Sequence, residues 1–280
     1  MSYSWLVNAT NAAADSLKTF ADFDRIFPDE TAAKLYLVNR RWPKGVTCPK
    51  CGTDNVYAEP SKLFHWRCRE CPKYRFSLYV GTIFENTNYP LLTWFRVLYL
   101  MLSSKKGMSA LQIHRMIGSG SYRTAWYIAH RLRAGLADPE FRRLMGVVEV
   151  DGTYIGHKDK NRHGHKKAHS SSPFALKTGV VRAISRKGNV VCQIIENAEA
   201  STLDKFIRQA VSDQCELVAT DTSNAYNTVR RGFRHETVNH AQGEYVRGKV
   251  HTNTIEGFWS LLKRGVLGTY HHVSRKYLPL

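Results

Sequence analysis

The chain has 280 residues and 43% hydrophobic content, enough for one large domain or two to three small ones, and its 41 Lys and Arg against 23 Asp and Glu leave a net charge of +18. Such a field concentrates polyanions, so nucleic acid is the first partner to expect and an anionic membrane surface the second. No apolar run reaches the ~18 residues of a membrane span, the longest, Leu91 to Leu102, being broken by Arg96, and Met1 to Thr10 lacks the basic-then-apolar order of a secretory signal. A cytoplasmic, nucleoid-associated protein without a membrane partner is expected, and its six cysteines read as thiols or metal ligands rather than disulfides.

Residues 1–42 read as a helical segment, with Pro28 just inside a helix start and acids behind it. Residues 43–80 carry four cysteines and many turn residues. Residues 81–145 form a helical region, strongest over 89–137, where Leu91, Phe95, Leu98, Met101 and Leu102 share one face. From residue 146 to 280 the texture becomes α/β. Val147 to Asp151 reads as a buried strand. Leu176 to Ile184 and Asn189 to Ile195 read as two strands joined by the turn Ser185-Arg-Lys-Gly188. Ala200 to Ala210 reads as a helix opened by Ser201, Leu217 to Asp221 as a strand, and Thr252 to Lys263 as the final helix. Three strands, a helix, a strand and a later helix make a mixed sheet.

Cys48-Pro-Lys-Cys51 and Cys68-Arg-Glu-Cys71 are two C-x2-C knuckles with sixteen residues between them. Four thiolates on two tight turns suit tetrahedral zinc, and Gly52 follows the first knuckle where a turn needs it. A redox C-x-x-C would stand alone beside a βαβ pattern, which is missing. Cys192 and Cys215 lie in or beside apolar strands and read as core residues.

Ser109 to Ile117 and Ser121 to Arg133 form two helices broken by Gly118-Ser-Gly120, which fits a helix-turn-helix; a plain helical hairpin is the alternative. In the first case Tyr122 and Arg123, at the start of the second helix, would reach base edges of double-stranded DNA. Between the first two strands of the α/β part lies a polar, basic loop. Its Lys158, Lys160, Arg162, Lys166 and Lys167 are candidate phosphate contacts.

Asp151 and Asp221 each end an apolar strand, where a carboxylate is costly unless partnered. Glu256 lies 35 positions after Asp221, near the start of the last helix, and Lys263 lies seven further on, two turns along the same face, with Asn253 one turn before Glu256. Three carboxylates can hold two divalent ions, and hard oxygen ligands favour magnesium or manganese.

The segment Val148-Glu-Val-Asp-Gly-Thr-Tyr-Ile-Gly156 resembles the first catalytic motif of bacterial insertion-sequence transposases of the DDE type. Thr220-Asp-Thr-Ser-Asn-Ala-Tyr226 resembles the second, and His251-Thr-Asn-Thr-Ile-Glu-Gly-Phe-Trp-Ser-Leu-Leu-Lys-Arg-Gly265 the third. The resemblance is closest to the group with an N-terminal zinc ribbon. It implies a ribonuclease-H-like catalytic core with Asp151, Asp221 and Glu256 as metal ligands and Lys263 on a DNA phosphate. It also implies an enzyme that binds the terminal inverted repeats of its element, as a homo-oligomer on DNA, and performs strand cleavage and transfer. Some members of the group use Asn in place of the third acid, which makes Asn253 the alternative ligand. Similar proteins usually run past Lys276-Tyr-Leu-Pro-Leu280, so a shortened C-terminus is expected here. An inactive transposase, or a regulator using only the ribbon and the helix-turn-helix, is the second reading.

Overall fold

The computed structural model describes residues 17–135, 143–156, 177–186 and 188–279. Contacts divide the chain into two units, Met1–Ser103 with Ala110–Leu136, and Ser104–Ser109 with Ala137–Leu280. The expected helical start, ribbon and most of the helical region thus share the first unit. No helix among the described residues is long and apolar enough to cross a membrane.

In the first unit α1 (Phe20–Ile26) opens on a reciprocal cap: Thr19 Oγ1 accepts from the Asp22 N–H, and the Asp22 carboxylate accepts from the Thr19 N–H. Helix α2 (Glu30–Arg41) is capped by Asp29, which accepts from the Ala32 N–H at 2.8 Å. Pro28 therefore stands ahead of the cap, outside the helix. A three-stranded antiparallel sheet follows: β1 (Val56–Ala58), β2 (His65–Cys68) and β3 (Arg75–Ser77), with β2 central. Helix α3 (Leu91–Ser103) has no local cap residue. Glu30 reaches across to accept from the N–H groups of Leu91 and Leu92 at 3.0 and 2.9 Å, satisfying two donors that a helix start leaves open. The face that α3 buries is Leu91, Trp94 and Val97, while Leu102 is 67% exposed, so the stripe expected through Leu102 is rotated. Helices α4 (Ala110–Ile117) and α5 (Tyr122–Gly135) follow as a pair. Gly118 takes φ +60° at the turn, His114 Nδ1 meets the buried Ser119 hydroxyl at 2.7 Å, and Ser121 Oγ accepts from the Thr124 N–H, as an N-cap should.

The second unit is built on a five-stranded mixed sheet in the order β6-β5-β4-β7-β8. Its strands are β4 (Val147–Ile155), β5 (Thr178–Ser185), β6 (Val190–Ile195), β7 (Leu217–Asp221) and β8 (His235–Val238). β4–β5 and β5–β6 are antiparallel, whereas β4–β7 and β7–β8 are parallel. Successive side chains of β4 serve opposite faces. Val148 and Val150 join Val181, Ala183 and Val218 under α6 (Ala200–Ala210), whose Leu203, Phe206 and Ile207 are buried there. Burying each of these three contributes on the order of 2 kcal/mol. The other face of β4 presents Glu149, Asp151 and Ile155 to α7 (Asn253–Arg264), and Ile155 and Val180 pack with Ile255 and Trp259.

Four further departures from the sequence reading have local causes. Ser201 does not cap α6: Glu199 occupies that position without a side-chain bond, and the Asn197 side chain accepts instead from the Thr202 hydroxyl and the Glu199 N–H. Strand β8 and the short hairpin β9 (Val246–Arg247) with β10 (Val250–His251) are polar and brief, and show no alternation long enough to read. Cys192 is exposed on the edge strand β6 rather than in the core, while Cys215 is half-buried against it. After α7 the chain continues as one wide π-helical turn, Gly265–Tyr270.

Candidate active site and zinc-binding knuckles

In the first unit the backbone folds each C-x2-C pair into a tight turn. The Gly52 N–H donates to the Cys48 carbonyl at 2.8 Å with Gly52 at φ +78°, and the Tyr74 N–H donates to the Cys71 carbonyl at 3.0 Å with Lys73 at φ +63°. The four cysteine sulfurs all lie within 4.8 Å of one another. Phe76 is buried against Cys48 and Cys68, with Trp42, Trp66 and Tyr74 around it. Cys48 is drawn down to about 7: burial raises it, but the N–H groups of Cys51 and Lys50 and the neighbouring sulfurs outweigh that. Cys71 is pushed up to about 12, chiefly by its bond to Cys51 and then by burial. One thiol poised to ionise beside others that resist is how a thiolate set behaves without its cation. Four converging soft sulfurs fit zinc.

In the second unit the carboxylates are set by the sheet. The β4–β7 ladder runs Val147↔Leu217, Val148↔Val218, Glu149↔Ala219 and then stops. Asp151, midway along β4, and Asp221, at the end of β7, each lie two residues beyond that last pair, close enough for Asp221 to raise the Asp151 carboxyl. Beyond Glu149, β4 keeps pairing with β5 and β7 with β8, so both acids stand on anchored strands at the opening between them. Asp151 accepts from the Gly152 N–H at 2.7 Å and from the Trp259 indole N–H at 2.9 Å. Asp221 accepts from the Ser223 N–H. Burial lifts the Asp151 carboxyl to about 6; the Gly152 N–H opposes this, Asp221 adds to it, Trp259 opposes and Glu256 adds. Tyr226, buried beneath, has its hydroxyl pushed further up by burial and then by Asp151 and Asp221.

Glu256 lies in the first turn of α7 with its carboxylate half-exposed, accepting from the Thr252 hydroxyl at 3.1 Å and lying 3.2 Å from His240 Nε2. Asn253 and Lys263 are exposed at the two ends of the helix. Among the described residues only the cysteines gather three or more metal-ligating groups within 4.8 Å of one another, so Asp151, Asp221 and Glu256 stand further apart than that. Tyr122 and Arg123 are exposed at the start of α5. Lys158, Lys160, Arg162, Lys166 and Lys167 lie outside the described residues.

Three neighbours of the acids were not singled out from the sequence. Glu149, fully buried two residues before Asp151 on the same strand face, accepts from Arg186, from the Thr254 hydroxyl and from the Ile255 N–H. Trp259 holds Asp151. Arg182, the antiparallel partner of Asp151, is buried with its guanidinium over the Phe258 ring, and burial pulls it down to about 10 while Cys192 and then Glu149 favour its charge. A charged residue inside an otherwise apolar strand, as in Val-Glu-Val-Asp, was the available signal for Glu149.

The family described as ISXO2-like transposase domain matches residues 143–280, and the one described as transposase zinc-ribbon domain matches residues 28–74. The chain is also similar to the uncharacterized protein in transposable element ISH50 of Halobacterium salinarum, 29% identical over 254 residues that span 86% of this chain and 84% of that one. A chain in the structure of the simian T-cell lymphotropic virus intasome, in complex with PP2A regulatory subunit B56 gamma, is 16% identical. The alignment covers 58% of this chain and 57% of that one at a TM-score of 0.29.

Proposed function

The chain belongs to the insertion-sequence transposases that join an ISXO2-like transposase domain to a zinc ribbon, and from that membership we propose that it cuts and joins DNA at the carboxylates Asp151, Asp221 and Glu256. The family implies polynucleotidyl transfer. The observation that carries the reading to these residues is that Asp151, midway along β4 just past the end of its pairing with β7, and Asp221, at the end of β7, lie on adjacent parallel strands, with α7 tied to Asp151 through Trp259. A sheet of three antiparallel strands continued by two parallel ones, with helices on both faces, supports a ribonuclease-H-like core.

The donor set fits divalent ions of the magnesium or manganese kind: hard carboxylate oxygens, with burial and the neighbouring Asp221 and Glu256 raising the proton affinity of Asp151 in the absence of a cation. Bound there, such ions supply activation of the attacking oxygen and stabilisation of the leaving one. The residues do the rest. Asp151 presents one oxygen fixed by Gly152 and the other fixed by Trp259. Glu256 approaches from the first turn of α7 and, unlike the neutral Asn253, brings the negative charge that a divalent ion favours, so it is taken as the third ligand. Lys263, two turns along, holds a DNA phosphate as a point charge. The ribbon holds one zinc for its fold. Tyr122 and Arg123 contact the terminal repeats of double-stranded DNA, the basic residues from Lys158 to Lys167 meet phosphates, and the protein works as a homo-oligomer on its two element ends.

The test is cleavage of duplexes carrying the element's own ends. Asp151→Asn and Asp221→Asn should each abolish cutting and leave binding within about threefold. Glu256→Gln should do the same, and Asn253→Ala should not. Undiminished cutting by the double aspartate variant would overturn the mechanism.

A further inference from the structure

Helix α7 carries Glu256 in its first turn, yet it is not capped in the ordinary way. Thr252 occupies the N-cap position, and its hydroxyl makes no cap bond. It is spent on Glu256 Oε1 at 3.1 Å and lies 3.0 Å from His240 Nε2, and Thr252 is itself buried. The first helical bond, from the Glu256 N–H to the Thr252 carbonyl, leaves the Ile255 N–H open. Glu149 fills that vacancy from the sheet: its Oε2 accepts from the Ile255 N–H at 3.0 Å and its Oε1 from the Thr254 hydroxyl at 2.9 Å. Arg186 Nε donates to the same Oε1 at 2.9 Å, and the His251 ring lies 3.2 Å away. A negative group is favoured at a helix N-terminus by the backbone dipole, and Arg186 offsets the cost of burying it.

We infer that Glu149 is a positioning residue: it caps α7 from β4 and thereby sets where Glu256 stands relative to Asp151. Its place is what makes this specific. Glu149 lies two residues before Asp151 on the same strand face, and the N–H that it captures belongs to the residue immediately before Glu256. One carboxylate thus joins the strand bearing one acid to the helix bearing another, within two residues of each. A local Thr252 cap would close the start of α7 without tying that first turn to β4, leaving the helix held on the sheet only further along, by Ile255, Trp259 and the Trp259–Asp151 bond. With Glu149 the two are fixed together, while Thr252 is released to orient the Glu256 carboxylate. Supporting residues of this kind change metal affinity or activity by about 10- to 100-fold.

The inference rests on the reading of Asp151 and Glu256 as metal ligands, so the test reads metal binding apart from cleavage. Manganese binding to the full chain is followed by electron paramagnetic resonance, alongside circular dichroism, for E149A, E149Q, T254V and D151N. E149Q keeps an acceptor for the Ile255 N–H and should lose less than E149A, and T254V should lose least, with E149A weakened about tenfold or more. If E149A fails to fold, E149Q and T254V decide. Loss of manganese in D151N with wild-type affinity in all Glu149 and Thr254 variants would overturn the inference alone. Wild-type affinity in D151N as well would overturn the reading of the site, and the inference with it.

Discussion

The indole N–H of Trp259 donates to the carboxylate of Asp151 at 2.9 Å, so the last helix holds directly an acid of the central strand β4, which runs on past it to Ile155. That bond favours the ionised form, against the burial that lifts Asp151 to about 6. Trp259→Phe keeps a ring among Ile155, Val180 and Ile255 but removes the donor. The Asp151 pKa should rise further, and divalent-ion binding, which needs the carboxylate ionised, should fall away at a higher pH than in the parent. Manganese titrations across pH 5 to 8 check this, about the range the shifted carboxyl commands. An unchanged profile would mean that the bond does not tune the acid.

The zinc knuckles should hold one metal per chain, measurable by elemental analysis. The four thiols must give up their protons to bind the metal, and Cys71 is raised by its neighbouring sulfurs, so acidification should favour release and a chelator should strip the site. The strands of the ribbon are three or four residues long, too short to stand without the metal. Cys48→Ser or Cys71→Ser should unfold residues 43–80 selectively, read by tryptophan fluorescence of Trp42 and Trp66. Retained zinc in a Cys48/Cys68 double variant would contradict the assignment.

His235 is kept neutral inside the sheet. Burial, then Arg230, pulls it from its ordinary 6.5 to about 4, while its Nε2 meets Thr220 Oγ1 at 2.8 Å. Its folded pKa is depressed, so the stability it contributes is whole above about pH 6.5 and drains away as pH falls towards 4. Thermal unfolding of the metal-free protein should show that slope, and His235→Gln should flatten it. A slope that persists unchanged would assign the acid sensitivity to other groups.

Two glycines of one helical run should respond in opposite directions. A Cβ at Gly257 meets nothing within 4 Å, so Gly257→Ala should stabilise by about 0.5–1 kcal/mol through the unfolded chain. A Cβ at Gly265 would come within 2.9 Å of the Lys106 carbonyl oxygen, a backbone atom with little freedom to withdraw. Gly265→Ala should destabilise by roughly 1–3 kcal/mol. Equal unfolding midpoints would show that the Lys106 contact is not held in solution.

The strands of the second unit were readable because β4, β5 and β7 are buried apolar runs bounded by Gly or charge, and α7 because its apolar residues recur at helical spacing. Asp221 stood out by ending β7, and Asp151 by closing the apolar stretch from Val147 to Val150, although the strand expected to end at Asp151 continues to Ile155, where pairing with β5 extends it. Glu149 breaks that stretch from within, and its meaning depends on Ile255, more than a hundred positions away, which no local pattern reports. The N-cap of α3 was hidden likewise, since Glu30 supplies it from another helix. Ser201 misled because a hydroxyl near a helix start is only a candidate cap until neighbours such as Asn197 and Thr202 are known to have paired first. Strand β8 exists because β7 offers a parallel edge, not because His235 to Val238 favour extension.

The strip Ser104–Ser109 belongs with the second unit although it interrupts the first in the chain. Its Lys106 carbonyl lies under Gly265 and its Gly107 under the Tyr270 hydroxyl, beneath the π-helical turn that follows α7. A recombinant fragment starting at Arg143 would include every proposed catalytic carboxylate and still lack the floor of that turn. Residual activity in such a fragment should therefore improve when a synthetic peptide spanning 104–109 is added back or spliced in, so the border of a self-sufficient catalytic piece cannot be drawn by a single cut.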